Sequence, residues 1–289
     1  MWRLGGRKLQ SLTPVPERPI LDLSGPKLRA GFEHLAEGCE STGGIERYVR
    51  ALAFKASLFE EVLGKGRIGE LTETEFRDLC AFITPVRRRI GVWLETNAFS
   101  VMQERIVRLF SGWSDLATTD ARVKAFIESF PADRGHRWVR DLAAEMLHFT
   151  APEHYPLMTR WIWDAGTNTG VLREIWYAAG GDVSTIRIND DLAAFATLRL
   201  ELEGFLRDNG VFRDIPFYVD LLCAQVYAFY VNDRGGQFLR ADFCGVEDPM
   251  AHTRRLLGLD AIASEGGRTR LKLIEGKAYV LSDQPRLNS

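Results

Sequence analysis

The stretch IPFYVDLLCAQVYAFYV, residues 215–231, decides how this chain folds. At helical spacing Ile215, Val219, Leu222, Val226 and Tyr230 share one face, and Phe217, Leu221, Ala224 and Ala228 make a second. A helix that is apolar on two faces belongs inside a protein. Asp220 and Gln225 break the run, which makes it a buried helix rather than a membrane span. The segment before it, from Asn189 to Asp208, spaces Leu192, Phe195, Leu198, Leu202 and Phe205 by three and four. These two helices are expected to form the centre of the molecule.

The same period recurs on the N-terminal side. Ile45, Tyr48, Val49, Leu52, Ala56, Phe59 and Val62 line one face, and Gly64 and Gly66 end that helix. Another begins near Thr72 or Thr74 with Glu75 in its first turn, and runs through Phe76, Leu79, Cys80, Ile83, Val86, Ile90 and Trp93, with Pro85 placed to kink or split it. Helices follow over Val101–Phe110, Leu116–Phe130 and Arg134–Phe149, the last with a stripe of Trp138, Leu142, Met146 and Phe149. Shorter helical pieces are expected at Leu157–Asp164 and Val171–Ala178, and a helix starting at Asp248-Pro249 runs through Leu257. Thr269–Ile274 and Lys277–Leu281 alternate around Glu275-Gly276, the pattern of a hairpin.

The expected fold is therefore mainly α, a multi-helix bundle-like body with a small C-terminal β-hairpin. Residues 1–23, with Pro14, Pro16 and Pro19, read as an extended arm; residues 24–180 and 181–289 read as two helical subdomains meeting at Gly180-Gly181.

Of the 289 residues 46% are hydrophobic and 26% charged, an ordinary globular balance. The net charge of -2 gives the whole molecule no pull on nucleic acid or an anionic membrane. No secretory signal and no membrane-spanning run are visible. Cys39, Cys80, Cys223 and Cys244 form no Cys-x-x-Cys pair, so they read as reduced thiols of a cytoplasmic protein.

Gly64-Lys65-Gly66-Arg67-Ile68-Gly69 matches a dinucleotide-binding string, but a helix precedes it where that motif needs a strand, so it reads as a loop between helices. Glu145 and His148 stand three apart on one helix face. Di-iron chemistry would need a second such pair, which is missing. A mononuclear site with His154 is the other metal reading, and a structural pair the simpler one. No metal or cofactor is expected. The segment 136–164 is nonetheless the chemically densest of the chain. Glu145, His148, Glu153 and His154 are its candidate catalytic groups, and Tyr155, Arg160, Trp161, Trp163 and Asp164 its candidate binding groups.

Arg87-Arg88-Arg89, followed by Arg105 and Arg108, is the one concentrated basic feature. It is a salt-bridged face or a site for an acidic partner or nucleic acid, with Arg87 and Arg88 the binding candidates. A second polar cluster spans Asp242 to Arg255, with Asp248, His252 and Arg255 as binding candidates.

Phe130-Pro-Ala-Asp-Arg-Gly135, a helix ending Leu147-His148-Phe149, then Pro152 and Tyr155-Pro156, resembles the hairpin-and-helix region of the helix-hairpin-helix DNA glycosylase superfamily over roughly 30 residues. The resemblance implies kinship of fold there. Ala132 replaces the first glycine of the family's hairpin and removes a backbone nest for phosphate. Leu157, Met158 and Thr159 occupy the stretch where the catalytic aspartate would stand, and Asp164 lies too far on. The expected function is a helical accessory or binding protein for a protein partner or small ligand. The alternative is an enzyme with a Glu/His cleft over 136–164, as a degenerate glycosylase-like protein acting on nucleic acid.

Overall fold

The computed structural model describes residues 18–40, 42–64, 66–178, 185–234, 249–265, 268–272 and 278–280, and over these the chain is mainly helical. α1 (Gly25–Glu40) and α2 (Ile45–Leu63) come first. The glycine string after α2 is a loop between helices, holding one 3-10 turn over 67–70. α3 (Glu73–Ala81) starts on a reciprocal cap: the Glu75 amide donates to the Thr72 hydroxyl, and the Thr72 amide donates to the Glu75 carboxylate. The long helix expected through Trp93 is split. Pro85 cannot continue α3 and sits instead in the first turn of α4 (Thr84–Arg87), followed by α5 (Ile90–Thr96). α6 (Phe99–Phe110), α7 (Thr119–Glu128), α8 (Trp138–Thr150) and α9 (Val171–Glu174) complete the N-terminal part. α10 (Leu192–Asp208), capped by the Asp191 carboxylate, α11 (Ile215–Arg234) and α12 (Ala251–Leu256) follow.

Three short strands, β1 (Ile262–Glu265), β2 (Arg268–Lys272) and β3 (Ala278–Val280), pair antiparallel in that order. Leu271 stands opposite Ile262 on one side and Tyr279 on the other. The turn expected at Glu275-Gly276 lies outside the described residues, as do Gly180-Gly181, Asp248 and residues 1–17. The described end of the N-terminal arm is tied to the body: Ser24 donates to the Ile175 carbonyl and Tyr177 to that of Asp22, both at 2.8 Å.

Two of the expected helical pieces differ. Residues 157–164 are irregular, because the Asp141 carboxylate takes the Arg160 amide (3.2 Å) and its guanidinium (2.9 Å), holding the chain off a helical path after Pro156. The helix at 171 ends at Glu174.

The centre also differs. It is α8 with α11, rather than α10 with α11. Of the thirteen α8 residues all but Arg140 are buried, and the helix packs against α2, α4 and α7. α11 packs against α1, α2, α9, α10 and α12, so one apolar core joins the regions 24–180 and 181–289.

Beside its apolar stripe α8 carries Asp141, Glu145 and His148, spaced four and three apart, hence within one arc of about 60°. All three are buried. Each is met by an opposite or hydrogen-bonding group from another element. Lys55 of α2 donates to Glu145 Oε2 at 2.6 Å, to the Phe82 carbonyl at 3.2 Å and to the Leu257 carbonyl at 2.9 Å, which uses all three ammonium protons. Its Nζ also lies 3.8 Å from the centre of the Phe149 ring. Burial pulls the Lys55 ammonium pKa down and pushes that of Glu145 up, while each partner favours the charged form of the other.

Lys55 thereby draws the end of α12 onto the end of α3. The chain there runs so close that a Cβ on Gly258 (φ +71°) would lie 1.6 Å from the Phe82 carbonyl oxygen. Only glycine fits.

Two stability predictions follow from this junction. Lys55→Met strands a buried carboxylate and lowers urea-unfolding stability by about 3–5 kcal/mol, while the double variant Lys55→Met/Glu145→Leu recovers much of the loss. Equal losses in both would show that the two groups are not coupled. Gly258→Ala costs about 2–3 kcal/mol or more, since left-handed strain adds to the displacement of Phe82; an unchanged melting midpoint would contradict the close approach.

Candidate functional site

The four groups read as catalytic do not converge on an open cleft. Glu145 is committed to Lys55 in the core. His148 faces Asp220 of α11 through Nε2 (2.8 Å) and the Tyr155 carbonyl through Nδ1 (2.7 Å), and both His148 and Asp220 are buried. Each ring nitrogen thus has an oxygen partner inside the fold. The cavity beside His148 and Asp220 leaves about 20 Å³ for water centres, room for one molecule and no substrate. Glu153 and His154 are exposed on the turn that follows α8, where Glu153 reaches Arg199 at 3.6 Å and the His154 ring lies 6.5 Å from that of Trp113. Among the described residues no group of three or more His, Cys, Asp or Glu side chains is placed to hold a metal.

Two of the residues read as binding groups are core. Tyr155 is fully buried, its hydroxyl donating to the Trp113 carbonyl and accepting from Arg122. Trp163 is buried with its indole N–H on the Ile188 carbonyl. Arg87 is taken by a two-pronged pair with Asp260, at 2.8 and 2.5 Å.

The remaining binding candidates among the described residues assemble. Arg88 just after α4, Arg160, Trp161 and Asp164 of the loop after α8, and His252 and Arg255 of α12 line one cleft of about 550 Å³. Arg137, at the N-terminus of α8, and Tyr227 of α11, its ring centre 6.0 Å from that of Trp161, complete the walls. The irregular path of residues 157–164 decides which tryptophan serves: Trp163 turns into the core and Trp161 stays half-buried at the cleft.

The electrostatics are lopsided. Four arginines line the cleft against two carboxylates, Asp141 and Asp164. Asp141 pairs with Arg160, and Asp164 Oδ1 accepts the Thr167 amide. Arg88, Arg137 and Arg255 are exposed and make no ion pair with any described residue. Burial, with Arg255 nearby, holds the His252 pKa below its ordinary value.

A second cleft has a volume of about 720 Å³. The chain divides neighbouring residues between the two: Arg88 and Arg137 face the first, Arg89 and His136 the second. Arg137 and Tyr227 could not be singled out in the sequence. Arg137 stands outside the triple-arginine run, and Tyr227 sits within an aromatic run that reads as core.

No family model, curated protein or solved structure matches this chain. The resemblance to helix-hairpin-helix glycosylases rests on residues 130–156 alone. In the described structure that stretch is the link between α7 and α8, α8 itself and the turn that follows it, with the Asp133 carboxylate accepting the His136 amide and ring N–H in the link.

His148→Phe leaves the Asp220 carboxylate unpaired in the core and costs about 3 kcal/mol or more in denaturant unfolding. Glu153→Gln and His154→Gln each change it by less than about 0.5 kcal/mol. A His148→Phe protein as stable as the parent would remove the structural role assigned to the pair.

Proposed function

We propose that this protein is a binding protein, and that the cleft between α4, α8, α11 and α12 takes a small anionic molecule with a flat or apolar portion. The observation that carries the reading is the set of three exposed arginines, Arg88, Arg137 and Arg255, around one cleft without ion-pair partners among the described residues. Guanidinium groups match phosphate and carboxylate oxygens two at a time. Arg160 lies among them with a buried Nε that has no acceptor among the described residues. Trp161 and Tyr227 offer a flat, half-buried wall. The volume falls in the range of ordinary metabolite sites, and a concave pocket favours a small ligand over a flat protein partner. With a net charge of -2 on the whole chain, the attraction for an anion is local to this cleft.

Of the hydroxyls that line it, that of Thr84 donates to the Arg255 carbonyl and those of Thr167 and Thr169 bond each other, so binding rather than turnover is the favoured activity. We also place the protein in the cytoplasm. Cys39, Cys80 and Cys223 are free and buried, and no helix among the described residues is long and apolar enough to cross a membrane.

The test is titration calorimetry with phenyl phosphate, inorganic phosphate and phenol at fixed ionic strength. Phenyl phosphate is expected to bind most tightly, and phenol not measurably. Each of Arg88→Gln, Arg137→Gln and Arg255→Gln is expected to weaken phenyl phosphate by about tenfold, the worth of one charge-assisted hydrogen bond at about 1.5 kcal/mol. Unchanged affinity in the triple variant, or phenol binding as well as its phosphate, would sink the reading.

A further inference from the structure

The second cleft holds an arginine without an acceptor. Arg105, on α6, lies with its guanidinium carbon 4.1 Å from the centre of the Phe130 ring and 5.6 Å from that of Trp93. Two aromatic rings thus hold the cation in place. Its Nη1 is buried and has no hydrogen-bond partner among the described residues. The side chain makes no ion pair among the described residues, and its neighbour Arg108 is turned to Glu104 instead. A buried charged donor left unpaired is costly, and it marks a place where an acceptor is needed.

The surroundings say what kind of acceptor. Arg89 lines the same cleft and is exposed, with no ion-pair partner among the described residues. His136 lines it too, its Nδ1 committed to Asp133 and its ring 6.3 Å from that of Phe130. Among the described residues no Asp or Glu lines this cleft. The other polar side chains there are already used within the fold. Asn97 Nδ2 donates to the Trp93 carbonyl and Ser129 Oγ to the Phe126 carbonyl. The formal charge that the described residues bring to the cleft is therefore cationic.

We infer that this cleft is a second binding site, for the oxyanion of a phosphate or carboxylate, with Arg105 as its anchor and Arg89 as the second cation. Oxygens on Arg105 Nη1 satisfy the buried donor, and the fork of the guanidinium accepts either group in its plane. The remaining volume, within the 720 Å³ of the cleft, accommodates the body of a metabolite-sized ligand. The site is independent of the Arg88–Arg137–Arg255 cleft, because the two share no side chain.

The experiment follows the arginine Nε–Hε resonances of ¹⁵N-labelled protein, with the Arg105 signal assigned by its loss in Arg105→Lys. Sodium phosphate and sodium acetate are titrated at constant ionic strength against sodium chloride. The Arg105 signal is expected to shift saturably. Saturation by phosphate alone assigns a phosphoryl ligand, by acetate alone a carboxylate, and by both the shared oxyanion chemistry. Arg89→Gln, an exposed change that leaves the melting midpoint in place, is expected to weaken the response about tenfold. Arg137→Gln/Arg255→Gln is expected to leave it unchanged, which separates this site from the first. A response no different from that to chloride, or one untouched by Arg89→Gln, overturns the inference.

Discussion

Much of this structure depends on the ion pair between Lys55 and Glu145. A charge pair removed from water stabilises only if every remaining hydrogen-bonding position is also filled. Lys55 meets that condition by adding the carbonyls of Phe82 and Leu257 to the carboxylate. It therefore ties four places together: α2, α8, the end of α3 and the end of α12. The other two polar residues of the same stripe extend the pattern, His148 to Asp220 of α11 and Asp141 to Arg160 of the loop. α8 is thus a helix whose polar face points inward. The orientation of the elements around it is specified by charge and hydrogen bonding as well as by apolar contact.

The clefts are consequences of that arrangement. The Lys55 contact places α12 beside α4, which sets Arg255 near Arg88. The Asp141–Arg160 pair fixes the loop that carries Trp161. Arg137 opens α8, and the turn before it sends His136 to the other side. An arginine run that looks like one basic patch in the sequence is dispersed. Arg87 is neutralised by Asp260, while Arg88 and Arg89 serve opposite clefts. Among the described residues the run is thus divided between two clefts rather than gathered on one face.

Much of the fold was legible because helical periodicity is a local property. The two-faced pattern of α11, the stripe of α2, the Thr72–Glu75 cap and the break at Pro85 each follow from residues within a few turns of one another. The irregular path of 157–164 was not legible. It depends on a hydrogen bond to Asp141, about a score of residues away, which overrides a pattern that reads as a short helix. The dense segment 136–164 holds groups of two kinds. Part of it is special as core chemistry, at Glu145, His148, Tyr155 and Trp163. Arg137, Asp141, Arg160, Trp161 and Asp164 line the first cleft, and His136 and Trp138 the second.

The sequence by itself determined that this is a mainly helical protein, where most of its helices begin and end, and that its cysteines form no motif. Those properties rest on short-range spacing, capping and backbone preference. Only the tertiary structure decided which polar residues are buried partners and which are left for a ligand. Lys55 lies 90 residues from Glu145, His148 lies 72 from Asp220, and Arg87 lies 173 from Asp260. Whether a charge is spent inside the fold or remains free depends on what it meets across such separations, and no local pattern records that.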